Sequence, residues 1–190
     1  MSDAFRLIPP RFAPPLDPGF RPAVLANHAF LDEVDRSGAA VPLVLGLERP
    51  NGSVSRYETR VFAGDHPRAE ANLMYTERLV KFLLWQRGGF RVYVGGPEHI
   101  GAFLSKSYSP DGSHAFDYHF MGEDVYERPF EVIPCDLEQV PPERETTQAL
   151  GRHLDGCRIG FDLGASDRKV AALVDGKVVS KGKVPDKKEI

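Results

Sequence analysis

The stretch Phe90-Arg91-Val92-Tyr93-Val94-Gly95-Gly96-Pro97-Glu98 decides the fold class of this chain. Its first five residues have the aromatic and β-branched composition of a strand, and the two glycines after them permit a turn. Pro97 is suited to the first position of a helix, which the sequence predicts as far as about Lys106. A strand, a glycine turn and a helix make half of a βαβ unit. We therefore predict an α/β fold, with α+β as the alternative.

Two further elements precede this unit. Residues 41–47 and 54–62 have the composition of strands, and Pro50-Asn51-Gly52 lies between them. Because Asn-Gly tolerates the positive φ of a tight turn, we predict a β-hairpin. Over residues 67–87 apolar residues recur at helical spacing, and Gly88-Gly89 follows. This pattern predicts a helix that ends at the glycines.

The remaining segments up to residue 155 complete the first part of the chain. Residues 1–40 contain a cluster of prolines and predict an extended arm followed by a short helix. Phe116–Phe120 alternates apolar and polar residues, and Phe130–Cys135 is largely apolar, which predicts two more strands. Residues 41–135 are therefore expected to form a small domain with a mixed sheet. Residues 136–155 are polar and interrupted by proline, which predicts a linker.

Residues 156–190 change to a pattern of strands alone. A turn of small residues follows the first strand, and Asp175-Gly176 marks the second turn. The predicted strands are Cys157–Leu163, 169–174 and 177–179.

Composition and charge exclude several classes of protein. The 190 residues contain 24 Lys and Arg against 27 Asp and Glu, and this net charge of −3 gives no electrostatic argument for nucleic acid binding. No apolar run is long enough for a membrane helix, so no membrane partner is expected. The amino terminus lacks the pattern of a signal peptide, so we expect a cytoplasmic protein. Cys135 and Cys157 form no CxxC pair, which predicts reduced, buried thiols rather than a zinc site or a disulfide.

One segment carries residues suited to phosphate chemistry. Asp162 ends a predicted strand, and the small residues Gly164, Ala165 and Ser166 follow it in the turn. Backbone N–H groups and a hydroxyl in such a turn can bind an anionic oxygen. Asp162 suits a hydrated Mg²⁺ that is shared with a phosphate, and Lys169 would neutralise negative charge. The alternative is an ordinary β-hairpin in which the acid only forms the turn.

This pattern resembles the first phosphate-binding hairpin of the actin, Hsp70 and sugar-kinase superfamily, and within it most resembles the ROK family of sugar kinases and repressors. Members of that family have Asp-x-Gly-Gly-Thr after the first strand, whereas Ala165 and Ser166 stand here for the second glycine and the threonine. The resemblance implies an RNase-H-like (actin-like ATPase) domain, of which residues 156–190 would be the first, truncated part. It implies ATP and Mg²⁺ as cofactors, with Mg²⁺ bound to Asp162 through water. The cofactor-binding residues would be Asp162, Gly164, Ala165, Ser166 and Lys169.

The function expected from this resemblance is that of the N-terminal part of a sugar kinase, which transfers phosphate from ATP to a sugar hydroxyl. Phosphoryl transfer needs several converging groups, and the sequence offers no second phosphate loop and no catalytic aspartate of the kind that the resemblance implies. The chain alone is therefore expected to be inactive. A nucleotide and a sugar are the expected partners, and self-association into a homo-oligomer is left open. The alternative function is that of a non-catalytic regulatory or interaction protein that retains the hairpin.

Three features of the first domain offer further alternatives. His114, Asp117 and His119 have a spacing that suits a metal ion, although a solvated strand face is the preferred interpretation. Trp85 is expected to be a buried anchor, with stacking on a sugar ring as the alternative. Gly95-Gly96 before a helix suits an anion, although a simple reversal of the chain is preferred.

Overall fold

The computed structural model describes residues 5–145, 154–165 and 167–185. The chain divides into two compact units, Met1–Thr146 and Thr147–Ile190, and each is considered by itself. Both units contain a sheet and the first also contains helices, so the predicted α/β class is confirmed. None of the described helices combines the length and the apolar composition that crossing a membrane requires.

The first unit is a four-stranded sheet packed against helices, with the strand order β2-β1-β3-β4. Strand β1 is antiparallel to both β2 and β3, whereas β3 and β4 are parallel. Its strands are β1 Ala40–Arg49, β2 Ser53–Phe62, β3 Arg91–Gly95 and β4 Glu131–Cys135. Its helices are α1 Ala23–Ser37, α2 Ala71–Arg87, α3 Glu98–Ser107 and α4 Ala115–His119. The predicted order of strand, glycine turn and helix is confirmed by β3 and α3. The later strand β4 pairs in parallel with β3 and completes the crossover unit.

The hairpin of β1 and β2 and the end of α2 are determined by local residues. Asn51 and Gly52 have φ values of 67° and 69°, the left-handed conformation that these two residue types adopt most readily. Gly88, with φ of 75°, follows α2 and donates its N–H to the carbonyl oxygen of Leu84 at 2.8 Å. The predicted hairpin and the predicted long helix are both confirmed.

The core lies between β1 and the helices. Phe30 of α1 and Tyr75 of α2 stack with 4.3 Å between ring centroids and belong to this core. On the opposite face of the sheet, a Cβ added to Gly46 would lie 2.9 Å from Cγ1 of Val140, so the chain after β4 covers β1 there. The alternate β1 residues that enter the helix-covered core are Leu43, Leu45 and Leu47.

The prediction of a strand over residues 116–120 is wrong, because these residues are helical. They belong to α4, and a π-helix, Phe120–Val125, continues it. The spacing of Phe116 and Phe120 suits alternate residues of a strand and also one turn of a helix, in which their ring centroids lie 5.5 Å apart. The local pattern alone therefore does not distinguish the two structures.

The proline-rich arm turns twice instead of remaining extended. The N–H of Asp17 donates to the carbonyl oxygen of Pro14 at 3.1 Å, and the N–H of Phe20 donates to that of Asp17 at 3.1 Å. Two successive β-turns result, because proline fixes φ at a value that turns share with extended chain. The short helix predicted after the arm is present as α1.

The first half of the predicted linker, residues 136–145, packs on the first unit instead. Val140 is 3% exposed, and Arg144 forms a β-bridge with Val54. A polar, proline-containing segment is therefore held in place by a buried apolar side chain, by pairing with the edge strand β2 and by hydrogen bonds from Arg56 to its backbone. Both cysteines are free, but Cys135 is only half-buried and Cys157 is exposed, so the prediction of buried thiols is wrong.

The described part of the second unit is a three-stranded antiparallel sheet with the order β5-β6-β7. Its strands are β5 Cys157–Leu163, β6 Asp167–Val174 and β7 Lys177–Pro185, which confirms the three predicted strands and extends the last two. Asp175 and Gly176 form the two-residue turn with φ values of 47° and 77°. The apolar side chains of β5 remain exposed, since Ile159, Phe161 and Leu163 are each more than 60% accessible.

Candidate functional site

The predicted phosphate site lies at the turn between β5 and β6. The antiparallel register places Asp162 directly opposite Lys169. Nζ of Lys169 lies 3.0 Å from Oδ2 of Asp162, so two residues predicted as separate ligands form an ion pair. Both side chains are more than half exposed and are accessible to a ligand from solvent.

A second carboxylate joins this pair. Asp167 lies with its Oδ1 at 3.2 Å from Nζ of Lys169 and its Oδ2 at 2.6 Å from Nζ of Lys183. Neither Asp167 nor Lys183 is among the cofactor-binding residues expected from the sequence. Counting outward from the turn at Asp175-Gly176 would pair Lys169 with Gly182. An extra residue in β7, Val179, shifts the register so that Lys169 lies opposite Lys183. No local signal in the sequence reveals that shift.

The charges of this cluster stabilise one another. Hydrogen bonds from Lys183 and from Lys169 hold the pKa of the Asp167 carboxyl below its ordinary value. Hydrogen bonds to Asp162 and then to Asp167 raise the pKa of the Lys169 ammonium. Both shifts favour the charged forms, the carboxylate of Asp167 and the ammonium of Lys169.

The small residues of the turn lie where the sequence predicts them. Gly164 and Ala165 connect β5 to β6, while Ser166 lies outside the described residues. A Cβ added to Gly164 would stand 3.1 Å from the carbonyl oxygen of Asp167, so a larger residue would crowd the turn. Close packing within the turn is therefore a reason for glycine at this position that is independent of any ligand.

The ion-pair cluster borders a shallow groove of about 650 Å³. Lys181 extends into the same groove, and no ion pair of Lys181 is found within the described part of the chain. Three lysines and one aspartate, Asp162, thus line the groove, which gives it a net positive charge that suits an anion. Besides the charged side chains, the lining includes the small residues Gly160, Ala171 and Gly182.

The carboxylates fit a magnesium ion that arrives with a phosphate. Mg²⁺ keeps several waters and usually binds one or two carboxylates together with substrate phosphates. Asp162 and Asp167 both contact Lys169, so both can approach one ion if the ammonium moves to the phosphate. Over residues 5–145, 154–165 and 167–185, no group of three or more His, Cys, Asp or Glu could hold a metal by itself. The donor set therefore suits Mg²⁺ only as part of a nucleotide complex.

His114, Asp117 and His119 do not converge on a common point. The Asp117 carboxylate, 1% exposed, accepts hydrogen bonds from Nζ of Lys81 at 2.6 and 2.7 Å and lies 3.0 Å from Nδ1 of His114. His119 is paired instead with Glu123, at 2.9 Å. The preferred interpretation of a solvated strand face is thus wrong for Asp117, which is a buried residue of a helix.

Trp85 is half exposed, so its prediction as a buried anchor is wrong. Its Nε1 donates to Oδ1 of Asp117 at 2.7 Å, and its ring stacks at 5.4 Å on Phe120 and at 6.4 Å on Phe116. The polar atom of the indole faces the protein, which leaves part of the ring in solvent. Stacking of this ring on a sugar stays a prediction.

The glycines before α3 fit a reversal of the chain. A Cβ added to Gly96 would lie 2.9 Å from the carbonyl oxygen of Pro42, so the close approach of two backbones requires glycine there. Glu98 begins α3 and places a negative charge in its first turn, where it opposes an anion.

Comparisons of this chain with protein-family models, with curated protein sequences and with solved structures find no match. The function is therefore argued from the residues and their geometry.

Proposed function

We propose that this chain is the N-terminal part of a ROK-like, ATP-dependent sugar kinase, in which the turn between β5 and β6 binds the phosphate tail of ATP. The observation that supports this most is the pairing of Asp162 with Lys169 on either side of a turn of small residues. The turn belongs to an antiparallel sheet with the order β5-β6-β7, as the resemblance to the sugar kinases implies.

Each residue of the hairpin has a distinct role in this proposal. The Asp162 carboxylate holds Mg²⁺ through water, and the backbone N–H groups around Gly164 and Ala165 face a phosphate oxygen. Lys169 leaves its carboxylate partners and neutralises the phosphate. Lys183 remains on Asp167 and keeps that carboxylate from repelling the nucleotide, because their atoms lie 2.6 Å apart.

The exposed apolar side of β5 also supports a larger domain. Phe161 pairs with Val170 and Ile159 pairs with Ala172 on one face of the sheet, and no described residue of the second unit buries Phe161, which is 71% exposed. A sheet normally buries one apolar face against helices. In the proposed kinase, the rest of the ATP-binding domain would cover this face.

The hairpin alone does not supply catalysis. Transfer of a phosphoryl group depends on positioned groups that stabilise its charge and on a base that accepts the proton of the sugar hydroxyl. In this proposal Asp162 is occupied by Mg²⁺ and Asp167 remains paired with Lys183, so neither is free to act as that base. We therefore expect the 190-residue chain to bind nucleotide weakly and to phosphorylate no sugar.

Titration of the chain with Mg-ATP, followed by ¹H–¹⁵N NMR, tests this proposal. Shifts confined to the amides of residues 160–170 are the expected result, and Lys169→Met should abolish them. Lys177→Met is the matched control, because it removes a lysine at the distant end of β7. Absence of shifts at millimolar Mg-ATP, or equal shifts in both variants, would overturn the proposal. Nucleotide binding by the complete protein without phosphorylation of any of a panel of sugars would favour the non-catalytic regulatory alternative.

A further inference from the structure

The first unit contains a second concave site that is independent of the phosphate hairpin. It lies where α1, β2 and α2 meet and consists of two neighbouring cavities of about 400 and 250 Å³. The cavities are adjacent, because both are lined by the same four residues. The shared residues are Asn27, Tyr57, Leu79 and Phe82. Together the cavities have the size of a small-molecule pocket.

The walls of the larger cavity are mainly apolar and partly aromatic, whereas charged side chains also line the smaller one. Phe82 is 59% exposed and Tyr57 is 39% exposed, so two rings are in contact with solvent at the junction of the two cavities. Val24 and Leu31 of α1 extend the apolar lining of the larger cavity. Large apolar side chains exposed on a concave surface favour a ligand with a planar, apolar body.

The polar groups of the larger cavity indicate the charge of that ligand. Arg78 lines it, and no acidic side chain appears among the described residues that do so. The guanidinium of Arg78 lies 5.3 Å from the ring centroid of Phe5, and within the described ranges it has no carboxylate partner. The amide of Asn27 has no hydrogen bond to any other described residue. A cation and an amide are thus both available to a carboxylate.

Two neighbouring features favour this end of the pocket for an anion. The first turn of α1 borders the larger cavity through Ala23 and contains no acidic residue, so its partial positive charge has the same sign as Arg78. The smaller cavity is lined by two glutamates and two arginines, so it lacks the uncompensated positive charge of the larger cavity. The carboxylate of the ligand therefore belongs beside Arg78, and its planar, apolar body belongs beside Phe82.

We propose that this pocket binds a small aromatic carboxylate, with its carboxylate on Arg78 and Asn27 and its ring between Tyr57 and Phe82. Such a ligand buries apolar surface along the walls and supplies the anion that Arg78 lacks. This assignment does not depend on the function proposed for the hairpin, because none of the residues involved belongs to the second unit.

Phenylbutyrate and its neutral amide, phenylbutanamide, are suitable probes because they differ only in the charged head. Isothermal titration of the full chain should show the carboxylate binding roughly tenfold more tightly than the amide, as expected for one charge-assisted hydrogen-bonded contact. Arg78→Gln should remove this preference and leave binding of the amide unchanged, whereas Arg78→Lys should retain most of it. Lys106→Gln, on the distant helix α3, is the matched control and should bind both probes as the original chain does.

Phe82→Ala provides an independent test of the body of the site, because this ring is mostly exposed and its removal leaves the core intact. Both probes should bind more weakly to this variant. Equal binding of the two probes to the original chain, or unchanged binding in both Arg78→Gln and Phe82→Ala, would overturn the proposal. The same holds if millimolar phenylbutyrate shifts only amides of residues 157–183, because the probe then occupies the exposed face of the second unit.

Discussion

The buried carboxylate of Asp117 offers the sharpest test of how the first unit is stabilised. It accepts hydrogen bonds from Lys81 and from Nε1 of Trp85, and it lies 3.0 Å from Nδ1 of His114. Asp117→Ala would leave all three of these groups without this partner. The carboxylate joins α4 to α2, so its loss should loosen the contact between the two helices.

The cost of this change can be worked out from the exposure of the partners. Removing one partner of a buried charge pair costs about 3 to 5 kcal/mol, and the lower end applies because the Lys81 side chain is 42% exposed and can turn to water. With a urea dependence of about 2 kcal/mol/M for a domain of this size, a loss of ~3 kcal/mol moves the unfolding midpoint down by about 1.5 M. Asp117→Asn keeps an acceptor for the indole and should lose roughly half as much.

Trp85 is the single tryptophan of the chain and lies in the cluster, so its fluorescence reports the unfolding of this unit. Asp32→Asn is the matched control, since Asp32 and Arg36 are 65% and 74% exposed and lie 3.8 Å apart. An exposed pair of this kind contributes below about 0.5 kcal/mol, so its urea midpoint should hardly change. If Asp117→Ala shifts the midpoint no more than this control does, the carboxylate does not stabilise the helix contact and the reasoning fails.

Three further predictions follow from the same contacts. Burial acts to raise the pKa of the Asp117 carboxyl, but its hydrogen bonds outweigh burial and lower the pKa. The stability that this carboxylate contributes is therefore present above about pH 4 and is lost as the pH falls through the lowered pKa. Acid unfolding followed by fluorescence should show that loss in the original chain and not in Asp117→Asn. Gly101→Ala should destabilise the first unit by about 1 to 2 kcal/mol in urea, because the new Cβ would lie 2.7 Å from Cβ of Pro134. Alanine favours helix more than glycine does, so a stabilised variant would contradict this reasoning. The hydrogen bond to Glu123 is the largest of the effects that raise the pKa of His119. NMR titration of the imidazole should therefore find a lower pKa in Glu123→Gln, whereas an unchanged titration would refute the pairing.

The candidate site shows how far the sequence can be used to predict a function. Asp162 and Lys169 are recognisable from the order of strand, acid, small residues and strand, and each is placed correctly in the hairpin. Their mutual ion pair follows only from the register of β5 against β6. The contribution of Asp167 and Lys183 depends on one extra residue in β7, Val179, which neither residue type nor spacing indicates.

Some elements of the first unit are likewise determined by local residues, and others depend on tertiary contacts. The hairpin at Asn51-Gly52 and the end of α2 at Gly88 depend on the backbone freedom of single residues, so the sequence by itself determined them. The helical state of residues 115–125, by contrast, was decided by the tertiary structure. Their alternating aromatic pattern suits a strand as well as a helix, and partners on α2, more than thirty residues earlier in the chain, stabilise the helix through Asp117.

The pocket between α1, β2 and α2 was likewise decided only by the tertiary structure. The sequence alone gave no reason to bring Asn27, Tyr57 and Arg78 together, because each lies in a different element. Turns and helix ends depend on the conformations that one or two residues can adopt, and these are local properties. Pockets, buried charges and ion pairs between strands depend on which distant segments pack together, and that is a property of the folded chain as a whole.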